Sequence, residues 1–127
     1  LCSRFWFSTI DDEKEKAIKA AENKEHLNEI TIFDKIIDKT IKADIIYEDE
    51  VAIAFHDVAP KAPVHFLVIP KVKGRLSMLQ NATEEDTKTL GHLFHVCVKV
   101  SKELGLNEGG YRVVVNNGKN GCQSVYH

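Results

Sequence analysis

The sequence predicts an α+β fold, a meander of about five antiparallel strands with one long and one short helix. Three observations predict it. Short β-branched and aromatic runs recur between residues 45 and 70 and again after Tyr111, each bounded by turn-forming residues. One long amphipathic run, residues 83–104, repeats its apolar positions with helical period. A shorter helical pattern precedes the first strand.

Length and composition set the frame for these elements. The chain has 127 residues, 43% of them hydrophobic, enough for one domain with its own core. Residues 11–30 (DDEKEKAIKAAENKEHLNEI) are rich in Glu, Lys and Ala, which favours a solvated helix with little to bury. Residues 1–30 are therefore read as a partly helical N-terminal extension and 31–127 as the domain. The 17 basic and 19 acidic residues give a formal charge of −2 and are interspersed, which provides no basic face for nucleic acid and no polybasic membrane segment. No apolar run has the length of a membrane span. Cys2, Cys97 and Cys122 form neither an even framework nor a C-x-x-C pair, so they read as reduced thiols of a cytoplasmic protein, with a nuclear pool left open. The chain begins at Leu1 rather than Met, so some N-terminal sequence is expected to be missing, and any targeting signal ahead of Leu1 is not visible in this sequence.

The elements follow in order. Ile32, Ile36 and Ile37 share one face of a short helix ending near Lys39. Ile45–Glu48 and Val51–His56 are strands joined by a tight hairpin at Asp49-Glu50. In the second strand, alternation puts Val51, Ile53 and Phe55 on one face and Ala52, Ala54 and His56 on the other, where the small residues leave room beside His56. Pro60 and Pro63 make Asp57–Val64 a rigid connection into a strand at His65–Pro70. Thr83 with Asp86 three residues on opens the long helix, and Gly105 stops it. Its apolar residues span about 200° of arc, twice the stripe of a one-sided surface helix, so it is expected to bury two faces. Tyr111–Asn116 reads as a strand, Asn117–Gln123 as a polar loop, and Ser124–His127 as the start of another strand. His92 and His95, at i and i+3 on the polar arc of that helix, lack a second pair of zinc ligands and read as a solvated face.

Several residues carry chemistry in principle. Asp57, just past a strand end, has two carboxylate oxygens that can accept from adjacent ribose hydroxyls, but it also suits an Asx turn ahead of Pro60. The 117–123 loop can bring backbone N–H groups to anionic oxygens, although it lacks the residues of a P-loop. Phe33, Ile36, Phe55 and Leu67 suit an apolar wall or an ordinary core equally well.

Three segments decide between these alternatives: Ala54-Phe55-His56-Asp57-Val58-Ala59-Pro60 with Ala62-Pro63-Val64-His65-Phe66-Leu67-Val68-Ile69-Pro70-Lys71; Leu104-Gly105-Leu106-Asn107 with Tyr111-Arg112; and Gly121-Cys122-Gln123-Ser124-Val125-Tyr126-His127. In composition, order and approximate spacing they resemble the Hint branch of the histidine-triad (HIT) family of nucleotide-binding hydrolases and transferases, over about residues 31–127. The family's motif is H-x-H-x-H, of which His127 matches the first histidine. The resemblance implies a HIT-like meander whose last strand is truncated here. On such a strand alternate residues face one way at about 6.6 Å spacing, so the histidines line one site.

The resemblance further implies that the middle histidine attacks the α-phosphorus of a nucleotide to form a nucleotidyl-imidazole, with His127 orienting it and Ser124 assisting the leaving group. Asp57 is then the ribose anchor. Ile32, Phe33, Ile36, Phe55, His56, Val58 and Leu67 form the base wall, and Asn116, Cys122, Gln123 and Ser124 meet the phosphate. Lys73 stands where many Hint proteins have a histidine, and Cys122 where a glycine is familiar. The expected function is hydrolysis of purine nucleoside phosphoramidates, of the adenosine 5′-monophosphoramidate type, without cofactor or metal, by a homodimer. The nucleophile would lie beyond His127, leaving the chain as given inactive. The alternative is a catalytically silent nucleotide-binding or partner-binding module.

Overall fold

In the computed structural model, residues 14–18 and 29–127 are described. Residues 14–18 are helical with Ala17 buried, Glu29 and Ile30 are not helical, and residues 11–13 and 19–28 of the expected N-terminal helix lie outside the described residues.

The short helix α1, Ile32–Ile37, starts where Thr31 caps it: the Thr31 hydroxyl accepts from Asp34 N–H at 3.2 Å and the Asp34 carboxylate accepts from Thr31 N–H at 2.7 Å. This reciprocal capping box satisfies donors that a helix start otherwise leaves open. Strands β1 (Ile45–Glu48), β2 (Ala52–His56) and β3 (Phe66–Pro70) form an antiparallel sheet in that order. The β2–β3 register runs from Ala52 opposite Pro70 to His56 opposite Phe66. A bulge interrupts β1 between Ile45 and Tyr47. The hairpin turn is one residue wider than the sequence suggests. Asp49 Oδ1 accepts from both Val51 N–H and Ala52 N–H at 2.8 Å, which draws Val51 into the turn and starts β2 at Ala52.

The two faces of β2 build two cores. Ile53 and Phe55 pack with Ile36 and Ile69, and Phe33, Ile37 and Leu67 close this core on the α1 side. Ala52 and Ala54 lie on the other side against Val96 and Val100 of the long helix α2, Thr87–Glu103. The room beside these alanines is thus taken by the helix. A 3-10 turn at Glu84–Asp86 precedes α2, with Thr83 N–H donating to Asp86 at 2.8 Å as the expected cap. At its end Gly105 has φ +72°, its N–H donates to Lys102 O and Leu106 N–H donates to Ser101 O, a Schellman closure that favours glycine at this position. Only one apolar face of α2 is covered by the sheet; Phe94 and Val98 are 53% and 51% exposed.

The expected count of about five strands is corrected to three among the described residues. Tyr111–Asn116 is not in a ladder, and Tyr111, Val113, Val114 and Val115 are exposed. Its β-branched residues satisfy local strand preference, but a ladder also needs a neighbouring edge, and no described segment supplies one. Ser124–His127 likewise carries no ladder assignment, although His127 reaches β3 through its side chain. No described helix is long and apolar enough to cross a membrane.

Candidate functional site

His127 lies on the α1 face of the sheet with its side chain fully buried. Phe33 meets it edge to face at 5.9 Å between centroids and meets Phe55 in the same way at 5.6 Å. These contacts, together with Ile36 in the same core, bring four of the sequence-predicted site residues into one apolar cluster. One nitrogen of the ring, Nε2, lies 2.8 Å from Pro70 O. A carbonyl only accepts, so Nε2 carries the proton. The other nitrogen, Nδ1, faces Thr31 Oγ1 at 3.3 Å and Asp34 Oδ1 at 3.4 Å. Lys73 closes the arrangement, donating at 2.6 Å to Asp34 Oδ2 and at 2.7 Å to Glu29 O. Burial pushes the His127 pKa below its ordinary value, with Lys73 acting in the same direction, against the opposing pull of the Pro70 carbonyl and Asp34. The ring is therefore neutral at pH 7. Burial opposes ionisation of Asp34, but bonds from Lys73 and Thr31 outweigh it and hold the carboxyl below its usual range.

Asp57 stands just past the end of β2. Its Oδ1 accepts from Ala59 N–H at 2.9 Å, so the Asx turn is present, while Oδ2 faces His65 Nε2 at 3.5 Å. Lys61 N–H donates to His65 Nδ1 at 3.0 Å, which places the proton of a neutral His65 on Nε2, toward Asp57. Val58 is 91% exposed beside it. His56 shares its strand face with Ala52 and Ala54, opposite Phe55, so strand alternation separates it from the Phe33–Ile36–Phe55 cluster.

The 116–124 loop is fastened to the segment after β3. Asn117 exchanges two hydrogen bonds with Gln80, each 2.8 Å. Gln123, nearly fully buried, accepts from Gly118 N–H at 2.8 Å and donates to Ser77 O at 2.5 Å and Val125 O at 3.3 Å, so both its amide donors are used inside the protein. Asn116 is exposed and Ser124 half-buried. Cys122 has φ +59° and ψ 29°, the left-handed region that disfavours a side chain. That backbone explains why glycine suits the position. Among the described residues no hydrogen bond joins this loop to Asp57.

Sequence reasoning missed the partners of His127 and Asp57. Thr31-x-x-Asp34 is a capping-box spacing and was readable; Lys73 and Pro70 lie too far along the chain for any local pattern to reveal. It also placed His92 on a solvated face, which the structure corrects. His92 Nε2 donates to Asp49 Oδ2 at 2.6 Å, and Tyr47 OH donates to the same oxygen at 2.8 Å, because α2 crosses the sheet beside the β1–β2 turn.

The HIT domain family model matches residues 38–127. A 14 kDa zinc-binding protein of Zea mays is 48% identical over 118 residues, covering 93% of this chain and 88% of the relative. Adenylylsulfatase HINT1 of Arabidopsis thaliana is 45% identical over 120 residues, covering 94% of this chain and 78% of the relative. Among solved structures, a HIT family hydrolase from Legionella pneumophila superposes with a TM-score of 0.73 at 35% identity, covering 77% of this chain and 86% of that one. The chain belongs to the HIT family, a class of nucleotide-binding hydrolases. Its segments around Asp57 and before His127, with the similarity to HINT1, set it in the Hint branch. The maize relative's name refers to zinc; among the described residues here, no group of three or more His, Cys, Asp or Glu side chains is arranged to hold a metal ion. The described residues do not fit a zinc site.

Proposed function

We propose that the protein hydrolyses purine nucleoside phosphoramidates, releasing an amine and a nucleoside monophosphate. The observation that carries this reading is the buried, neutral His127 held on the Phe33–Phe55 cluster, at the position matching the first histidine of the family motif. In the family the attacking imidazole is two residues further along the same strand and so faces the same way. Its nitrogen forms a bond to the α-phosphorus, the P–N bond breaks, and the departing nitrogen takes a proton with help from Ser124. Water then attacks the nucleotidyl-imidazole and frees the monophosphate. Asp57 accepts from the ribose hydroxyls, Phe33, Ile36 and Val58 flank the base, and Asn116, Cys122, Gln123 and Ser124 surround the phosphate. Support for Gln123 is indirect, since its bonds shape the loop rather than leave it free.

The Arabidopsis relative's name gives a second substrate, an adenylyl sulfate. The same attack serves both, because only the leaving group on the α-phosphorus differs. The test compares three proteins on a fluorogenic adenosine phosphoramidate and on adenylyl sulfate: a chain extended through the whole H-x-H-x-H motif, that chain with its middle histidine changed to alanine, and a chain ending at His127. Turnover by the first alone supports the mechanism; equal turnover by all three overturns it. Nucleotide binding without turnover in any of them favours the silent binding module.

We also infer a cytoplasmic homodimer. Phe94 and Val98 on α2 and the exposed Tyr111–Val115 run are apolar surface that a second copy would cover. Sedimentation at micromolar protein checks this, and a single species near 14.3 kDa refutes it.

A further inference from the structure

Asp34 does two jobs with two oxygens. Oδ2 takes Lys73 Nζ at 2.6 Å and Thr31 N–H at 2.7 Å, with the Thr31 hydroxyl 3.0 Å away. Oδ1 is turned to His127 Nδ1 at 3.4 Å, and among the described residues it has no other hydrogen-bonding partner. The Thr31 hydroxyl sits between the two, 3.0 Å from Asp34 Oδ2 and 3.3 Å from His127 Nδ1. A hydroxyl proton rotates freely between such acceptors. With a neutral ring it points to Nδ1. With a protonated ring it points to Asp34 Oδ2, and Nδ1–H takes Asp34 Oδ1. Nε2 keeps its bond to Pro70 O in both states. The ring can therefore gain or lose a proton without moving.

We propose that Asp34 and Lys73 are positioning residues for His127, setting how readily its Nδ1 takes a second proton while the Pro70 carbonyl holds the first on Nε2. Asp34 from α1 favours the proton, while Lys73 from the segment after β3 opposes it and pins the carboxylate by its other oxygen. Among the described residues these are the charged side chains that act on the ring; it also meets Phe33, the Thr31 hydroxyl and the Pro70 carbonyl. The pair matters to the proposed reaction because a charge on His127 would lie about 6.6 Å from the attacking imidazole on the same strand face, where it would lower that group's proton affinity. The inference rests on the hydrolase reading for this consequence, but not for its direct measurement.

The measurement is the ring 15N signals of His127 followed through a pH titration in the protein, assigned with His127→Gln. Asp34→Asn keeps an acceptor for Thr31 N–H but removes the anion and leaves Lys73 uncompensated, so the His127 midpoint moves to lower pH. Lys73→Met moves it to higher pH, and Lys73→Arg restores it. Simple loosening predicts something different for Asp34→Asn, because exposure releases the ring from its burial and moves the midpoint up. A rise or no change in Asp34→Asn overturns the proposal, as does a neutral ring whose signals show the Nδ1–H tautomer. In a chain carrying the whole H-x-H-x-H motif the acid limb of the pH–rate profile follows the same two directions. If no phosphoramidate or adenylyl sulfate is turned over while the 15N midpoints move apart as stated, the hydrolase reading fails and the positioning pair stands.

Discussion

Asp57→Asn separates two roles that the sequence alone leaves entangled. The Asx turn needs only Oδ1, which accepts from Ala59 N–H at 2.9 Å, and an amide oxygen supplies the same acceptor. The substitution removes the charge and converts Oδ2 into an NH2 that faces a second donor, His65 Nε2, at 3.5 Å. That bond is long and the side chains are partly exposed, so the expected stability loss is below ~1 kcal/mol. A ribose hydroxyl bound to the carboxylate is worth ~1.5 to 3 kcal/mol, so losing one such bond weakens nucleoside monophosphate binding by about 10- to 150-fold. Asp57→Ala removes the turn acceptor too and adds roughly 1 kcal/mol of instability. Calorimetry with AMP and with its 2′,3′-dideoxy analogue, alongside thermal melts, reads both quantities. The reasoning fails if Asp57→Asn weakens both ligands equally, since the carboxylate then does not act through the ribose.

Three more outcomes follow from single positions. Ser101 is buried with its hydroxyl unpartnered among the described residues, so Ser101→Ala is expected to stabilise by about 1 kcal/mol, a Tm rise of about 4 °C in a melt; a fall in Tm counts against it. Cys122→Gly removes a left-handed strain of ~1–2 kcal/mol and adds ~0.5–1 kcal/mol of chain entropy cost, so denaturant unfolding should show a net gain of up to about 1.5 kcal/mol. The folded state holds the His127 pKa below the ordinary imidazole value of 6.5, so between the two values the unfolded chain binds more protons and stability rises with pH. That stability is complete above pH 6.5 and declines as pH falls through the folded pKa. The decline should shrink in His127→Gln, and an unchanged pH slope in that variant would refute the assignment.

How far the fold could be read depends on whether the deciding interaction is local. The strands between residues 45 and 70, the Thr83–Asp86 cap and the Gly105 stop are all written within a few residues of where they act, and the structure has them at or near those places. Val51 shows the limit even at short range. Its β-branched side chain favours a strand, yet the Asp49 carboxylate captures the Val51 and Ala52 amides and turns the chain first. Tyr111–Asn116 shows the limit at long range, because strand pairing depends on an edge supplied from elsewhere. Pattern fixes which residues extend; it does not fix what they pair with.

The candidate site obeys the same division. Its individual residues were legible, but their surroundings were set by which face of β2 receives α2. Ala52 and Ala54 admit Val96 and Val100 closely on one side, while Ile53 and Phe55 fill the other and leave α1 to cap it. His127 thereby comes to lie against Phe33 and the start of α1, next to a carboxylate that the sequence presents only as a helix cap. Lys73 reaches that carboxylate from 39 residues away, a pairing that no spacing rule contains. The Asp34 side chain therefore works both in the cap of α1 and beside His127. On the proposal above, a change at Thr31 or Asp34 reaches the chemistry through the proton on one ring nitrogen, without either side chain touching a substrate.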